Sequence, residues 1–159
     1  MIRKFLCIGL ISLLITFVGC SQKSKNINDN EKATNYISID SNNELLNYFK
    51  DTHKNNEILK VAEWDVDGDD NKDLVVIYNI SKDKNGMVIV LKTKDGFKIS
   101  NEVSAPISNQ KIEFKDIDKK APMEIIVSGS KNNKAGYAIF RLEDMKLIDI
   151  FGDGMKDCC

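Results

Sequence analysis

The chain is 159 residues long and carries 23 Lys+Arg against 24 Asp+Glu, a formal net charge of -1. That length bounds it to one modest domain plus a short extra segment, and the balanced charge argues against nucleic acid as a partner. Apolar residues at 42% and charged residues at 30% give a globular balance, while a single histidine, His53, argues against a His-rich metal site or a Ser/His/Asp triad.

Arg3 and Lys4 supply a positive start, Phe5 to Val18 run without a charge, and Phe17-Val18-Gly19-Cys20 closes the run. The apolar stretch is too short for a comfortable membrane span and has the build of a signal peptide. Its ending resembles the bacterial lipobox, in which the cysteine becomes the first residue of the mature protein. The resemblance implies that residues 1–19 are removed and that Cys20 carries a diacylglycerol thioether and further acyl chains such as palmitate. Several acyl chains anchor stably where one does not, so the mature protein is expected on the extracytoplasmic face of the cell membrane. The alternative is an ordinary signal peptide with a chance cysteine. Loss of Arg3 and Lys4 leaves 21 cations against 24 anions, a net charge of -3.

Residues 20–35 read as the lipidated cysteine and a solvated tether, spanning about 20 Å as a flexible coil. Residues 36–159 read as a single β-rich domain. Ser41-Asn42-Asn43-Glu44 has the form of a capping box, and Leu45, Leu46, Tyr48 and Phe49 follow at helical spacing, which predicts a helix over about 42–54. His53 near its end reads as a helix-terminal side chain rather than a ligand. From residue 57 the period changes to that of strands: Glu57–Trp64, Asp73–Ile80, Met87–Lys94 and Phe97–Val103, with turns placed at Lys84-Asn85-Gly86 and Asp95-Gly96. A second set follows at Lys111–Lys115, Met123–Ser128, Gly136–Arg141 and Met145–Phe151.

The two sets align as a repeat, 57–103 on 111–151. Asp65 falls on Asp116, Asp67 on Asp118, Asp73 on Glu124, Leu74-Val75-Val76 on Ile125-Ile126-Val127 and Gly86 on Gly136. An offset of 51 residues at the first marker and 50 at the last suits four-stranded blades. The expected fold is therefore mainly β: two four-stranded antiparallel blade-like repeats with one N-terminal helix. Two blades cannot close a propeller, so the sheets either pack face to face or lie side by side with the helix covering an open edge.

Asp65-Val66-Asp67-Gly68-Asp69-Asp70-Asn71-Lys72-Asp73 is the sharpest motif of the domain. Its acidic positions 1, 3, 5 and 9 and the carbonyl of Asn71 form an oxygen set suited to a hard ion such as Ca²⁺, and the loop can equally be a metal-free acidic turn. An EF-hand is excluded, since the sharp-turn glycine stands at position 4 and Val76 occupies position 12. The segment, flanked by strands, resembles the calcium loop of FG-GAP/VCBS-type blades. Candidate ligands are Asp65, Asp67, Asp69, Asn71 and Asp73, in a structural role. In the second copy Lys120 and Pro122 break the pattern, so Asp116, Asp118 and Glu124 are expected to hold no calcium, with Lys119 or Lys120 supplying the positive charge. Trp64 reads as core.

The sequence ends Asp157-Cys158-Cys159. A disulfide between neighbours is poor chemistry, because Cα atoms about 3.8 Å apart fall below the usual disulfide range. Asp157 and a terminal carboxylate work against a thiolate, with only Lys156 opposing them. A soft metal displaces thiol protons itself and prefers thiolates, so the pair suits mercury or arsenic better than catalysis. A small lipoprotein with this ending resembles the Cys-Cys-COOH (seleno)protein family, SaoC, of a proposed selenocysteine-assisted organometal system. That resemblance implies mercury or organomercurial binding at Cys158 and Cys159, with an ABC-type transporter and an organomercurial-lyase-like protein as partners. Three readings follow: a binding module for thiophilic metal, a thiol-disulfide redox partner, and a calcium-stabilised surface or adhesion module. The first leads, and it is not an enzyme.

Overall fold

The computed structural model describes residues 39–153. The expected leader, Cys20, the whole of the expected tether and the Cys158–Cys159 pair lie outside the described residues. Within them, Asp40 opens a turn by accepting from the backbone N–H of Asn42 on its side chain (3.0 Å) and from that of Asn43 on its carbonyl (2.9 Å). This turn makes Asn43, not Ser41, the N-cap: its Oδ1 accepts from Leu46 N at 2.9 Å. The helix α1 is correspondingly shorter than expected, Glu44–Thr52, with Glu44 in the first turn where the helix dipole favours an acid. Its buried face is Leu45, Leu46 and Phe49. His53 is the C-cap, its ring stacked on Phe49 at 4.4 Å. No helix among the described residues is long and apolar enough to cross a membrane.

Nine strands follow in two antiparallel sheets. The first contains β1 (Ile58–Trp64), β2 (Asp73–Ser81), β3 (Lys84–Thr93), β4 (Gly96–Ile99) and β5 (Val103–Ala105). The second runs β6 (Ser108–Lys115), β7 (Glu124–Lys131), β8 (Lys134–Glu143) and β9 (Lys146–Asp153) in chain order. The architecture expected from the repeat is the one observed: mainly β, two antiparallel blade-like sheets, one helix ahead of them and no closure into a barrel.

Two local expectations are corrected. The fourth strand of the first repeat, expected as Phe97–Val103, is broken into β4 and β5, which both pair with β3. The break lies where Ser100 Oγ accepts from Ile89 N at 2.9 Å, so a side chain takes over part of the ladder. The hairpin expected at Lys84-Asn85-Gly86 turns earlier, at Lys82-Asp83, and Asn85 and Gly86 pair within β3. Asn85 is needed there: its buried amide donates to the carbonyls of Pro106 (2.8 Å) and Ile107 (3.3 Å), tying the linker between the sheets to the first sheet. Asn101 joins the sheets from the other side, accepting from Leu147 N (2.6 Å) and donating to its carbonyl (3.3 Å).

The alternation of β2 and β3 explains the layering. Leu74, Val76, Tyr78, Val88 and Val90 point to the face covered by α1. Val75, Ile77, Met87, Ile89 and Leu91 point the other way and share one core with Ile125, Val127, Ala138, Phe140 and Leu142 of the second sheet. The sheets therefore pack face to face, and the helix covers a face rather than an edge. A continuous run such as Leu74-Val75-Val76-Ile77-Tyr78 is what a strand buried on both faces requires, each fully buried aliphatic contributing about 1.5–3 kcal/mol relative to exposure.

Candidate metal centre

Each sheet carries an acidic loop between its first and second strands. In the first, Asp65 leaves β1 and its carboxylate folds back on the loop, Oδ1 accepting from Gly68 N (2.7 Å) and Asp69 N (3.1 Å) and Oδ2 from Asp70 N (2.9 Å). The turn needs φ values of 79° at Gly68 and 66° at Asp70, which glycine adopts freely and aspartate tolerates. Asp73, at the start of β2, is buried and accepts from Val66 N and Lys92 N, both at 3.1 Å.

Carboxylate oxygens of Asp65, Asp67 and Asp73 lie within 4.8 Å of one another. Oxygens that close together can share one hard cation at the usual calcium–oxygen distance of about 2.3–2.6 Å. Three of the four acidic positions of the motif thus converge as a hard ion would require. Asp69 lies outside this carboxylate cluster and bonds to Asn71, its Oδ1 accepting from Asn71 N (2.8 Å) and its Oδ2 from Asn71 Nδ2 (3.0 Å).

Crowded negative charge marks the loop. Burial, then the two backbone bonds that only partly offset it, and the charges of Asp67 and Asp69 leave the Asp73 carboxyl with a pKa of about 6. Partial desolvation and the charges of Asp69 and Asp65 also raise Asp67, whereas the Asn71 side-chain and backbone donors lower Asp69. Bound calcium would supply the positive charge that makes these carboxylates compatible.

The second loop solves the same problem with protein atoms. Asp116, Asp118 and Glu124 form an equivalent cluster, and Glu124 Oε2 accepts from Ile117 N at 2.8 Å as Asp73 accepts from Val66 N. The cation is Arg141 on β8, not Lys119 or Lys120. Its Nε donates to Glu124 Oε1 at 3.0 Å, and its Nη2 donates to Asp118 Oδ2 at 2.7 Å and also to Glu124. Lys120 contributes only its backbone N–H to Asp118 (3.0 Å). Burial pushes Glu124 up, but the Ile117 amide and the Arg141 guanidinium outweigh it and hold the carboxyl below its ordinary value.

Sequence reading missed Arg141, although two signals pointed to it. It is the only arginine after Arg3 in a chain otherwise supplied with lysine, and the repeat offset places it on Leu91. Trp64, expected in the core, is 40% exposed and stacks on Phe114 of the second sheet at 5.5 Å. Cys20, expected to carry the lipid, and the thiols of Cys158 and Cys159 lie outside the described residues. Comparison of the chain with family models, with curated proteins and with solved structures gave no match.

Proposed function

We propose that the chain is a lipid-anchored extracytoplasmic protein that captures a thiophilic metal or organometal, mercury species first, through the adjacent thiols of Cys158 and Cys159. Anchoring would be through Cys20, and the purpose transport or detoxification, with hand-off to an ABC-type transporter or an organomercurial-lyase-like protein. The observation that supports this reading is the segregation of donor chemistry. Residues 39–153 contain no cysteine, and their clusters of potential ligands are carboxylates. Those are hard oxygen donors, so thiolate chemistry outside the expected leader and Cys20 falls to Cys158 and Cys159. Each thiol gives up its proton as its sulfur–metal bond forms, so capture needs no activated nucleophile.

The test is a titration of residues 21–159 with Hg(II) and phenylmercury under anaerobic reduction, beside a Cys158→Ser/Cys159→Ser variant. Tight binding of one metal per chain, lost in the variant, is expected. Equal binding by the two proteins overturns the reading. One observation favours a second reading, a calcium-stabilised surface module: the convergence of Asp65, Asp67 and Asp73. Under that reading, function is lost on breaking the Asp65 loop and survives replacement of both thiols.

A further inference from the structure

The two sheets stack in the same sense, like successive blades, and among the described residues this leaves one face of the second sheet without the cover its counterpart has. In the first sheet Val66, Val75 and Ile89 are buried against the second sheet. The repeat places Ile117, Ile126 and Ile139 at the same positions in the second sheet. Cross-strand register sets Ile126, Ile139 and Phe151 in one row, with Arg141 opposite Ile148 beside it. Ile117 is 44% exposed, Ile148 39% and Phe151 52%. Together with Ile150, the bulged residue of β9, they are four of the five exposed large apolar side chains among the described residues.

We propose that this face is a self-association surface, on which a second copy of the chain docks the identical face about a two-fold axis. Stacking copies head to tail would need an uncovered face on the first sheet, and α1 occupies it with Leu45, Leu46 and Phe49. An isologous pair needs only the face itself, and it closes after two copies. Four strands about 4.8 Å apart and roughly eight residues of about 3.3 Å give a face near 500 Å², so two faces bury about 1,000 Å², the least a biological interface should clear and the size of a weak, reversible pair. Several charges on this face are already matched, Lys111 to Glu113 at 2.9 Å and Arg141 to Asp118 and Glu124. Docking covers these as ion pairs rather than as single charges.

The experiment places p-benzoylphenylalanine at Ile148 of the full chain in its membrane, with a second, differently tagged copy present. Irradiation is expected to give a covalent product containing both tags, and the same probe at Asn47, on the exposed side of α1, is expected to give none. Phe151→Lys should cut the Ile148 product at least tenfold. Should Phe151→Lys lower the β-sheet signal in circular dichroism, Ile117→Lys in the loop provides the same reading. Overturning results are no product at Ile148, a product with lipid or another protein only, an equal yield at Asn47, or a yield that neither lysine variant lowers.

Discussion

The two acidic loops begin from the same frame and part most sharply in the residue beside their buried carboxylate. Asp73 and Glu124 each bind a loop amide seven residues earlier and start a second strand. Beside Glu124 stands Arg141; the repeat puts Leu91 beside Asp73. The stacking of the sheets explains the exchange. Leu91 faces the second sheet and is fully buried, where a guanidinium would be costly to desolvate. Arg141 stands on the uncovered face, 24% exposed, and can reach both carboxylates from partial contact with water. The first loop, with Leu91 in that place, therefore has no guanidinium against its buried carboxylate and is left to protons, the more distant charge of Lys94 or an ion from solvent, while the second loop carries its own cation.

The largest effect expected from breaking this comparison is at Arg141. Arg141→Ala leaves the fully buried Glu124 without its cation, at a cost of about 3 kcal/mol. Urea unfolding measures it. Adding Glu124→Gln to that variant should recover much of the loss, since an amide carbonyl still accepts from Ile117 N and no buried charge remains. A loss that Glu124→Gln does not relieve would mean that Arg141 acts through packing of its stem.

At Asp73 the loss is smaller, and it sharpens the contrast. Asp73→Asn keeps an acceptor for only one of the amides of Val66 and Lys92, costing about 1–3 kcal/mol. Millimolar calcium should raise the melting temperature of the unsubstituted protein and leave that of Asp73→Asn unchanged. An equal rise in both would place any bound calcium elsewhere.

The pH profile carries the same opposition. Folded Asp73 holds its proton to about pH 6, whereas the unfolded chain releases it near 3.8. Its contribution therefore falls as pH rises between those values and is absent above them. Glu124 is shifted down, so its contribution is present above the ordinary glutamate value and is lost as pH falls through the folded one. Denaturant midpoints followed from pH 3 to pH 8 should show stability declining between about pH 4 and 6 without calcium, and calcium should flatten that decline by favouring ionised Asp73.

Much of this frame was legible in the chain because both repeats preserve local patterns. Asp65 and Asp116, with the apolar runs after Asp73 and Glu124, are sufficient to locate two sheets and their acidic loops. The features that escaped depend on which strands lie side by side. Arg141 is 23 residues from Asp118, and only the β7–β8 register brings it there, while Lys119 and Lys120 are merely close in sequence. Lys84-Asn85-Gly86 has the composition of a turn, but Asn85 is held in β3 by carbonyls 21 and 22 residues away. Trp64 is apolar enough for a core, yet it ends its strand beside a loop and finds an aromatic partner rather than burial.

The smallest expected effect separates the central hairpins. In the second sheet the two-residue turn is Asn132-Asn133, with φ of 50° and 63°, the left-handed pair that a right-twisted hairpin favours. The matching turn of the first sheet, Lys82-Asp83, has positive φ at neither residue, and the register shifts by a bulge between Asn79 and Ser81. There Asn79 Nδ2 bridges Ser81 O (2.8 Å) and Asn85 Oδ1 (3.1 Å), so side-chain bonds close the loop. Asn133→Gly should therefore stabilise by about 0.5 kcal/mol, because glycine reaches left-handed φ without a Cβ penalty. Asp83→Gly should destabilise by a similar amount, since it adds unfolded-state entropy and relieves no strain. Thermal midpoints shifting in opposite directions would establish that the repeats reach the same hairpin by different turn chemistry, and shifts of one sign would refute it.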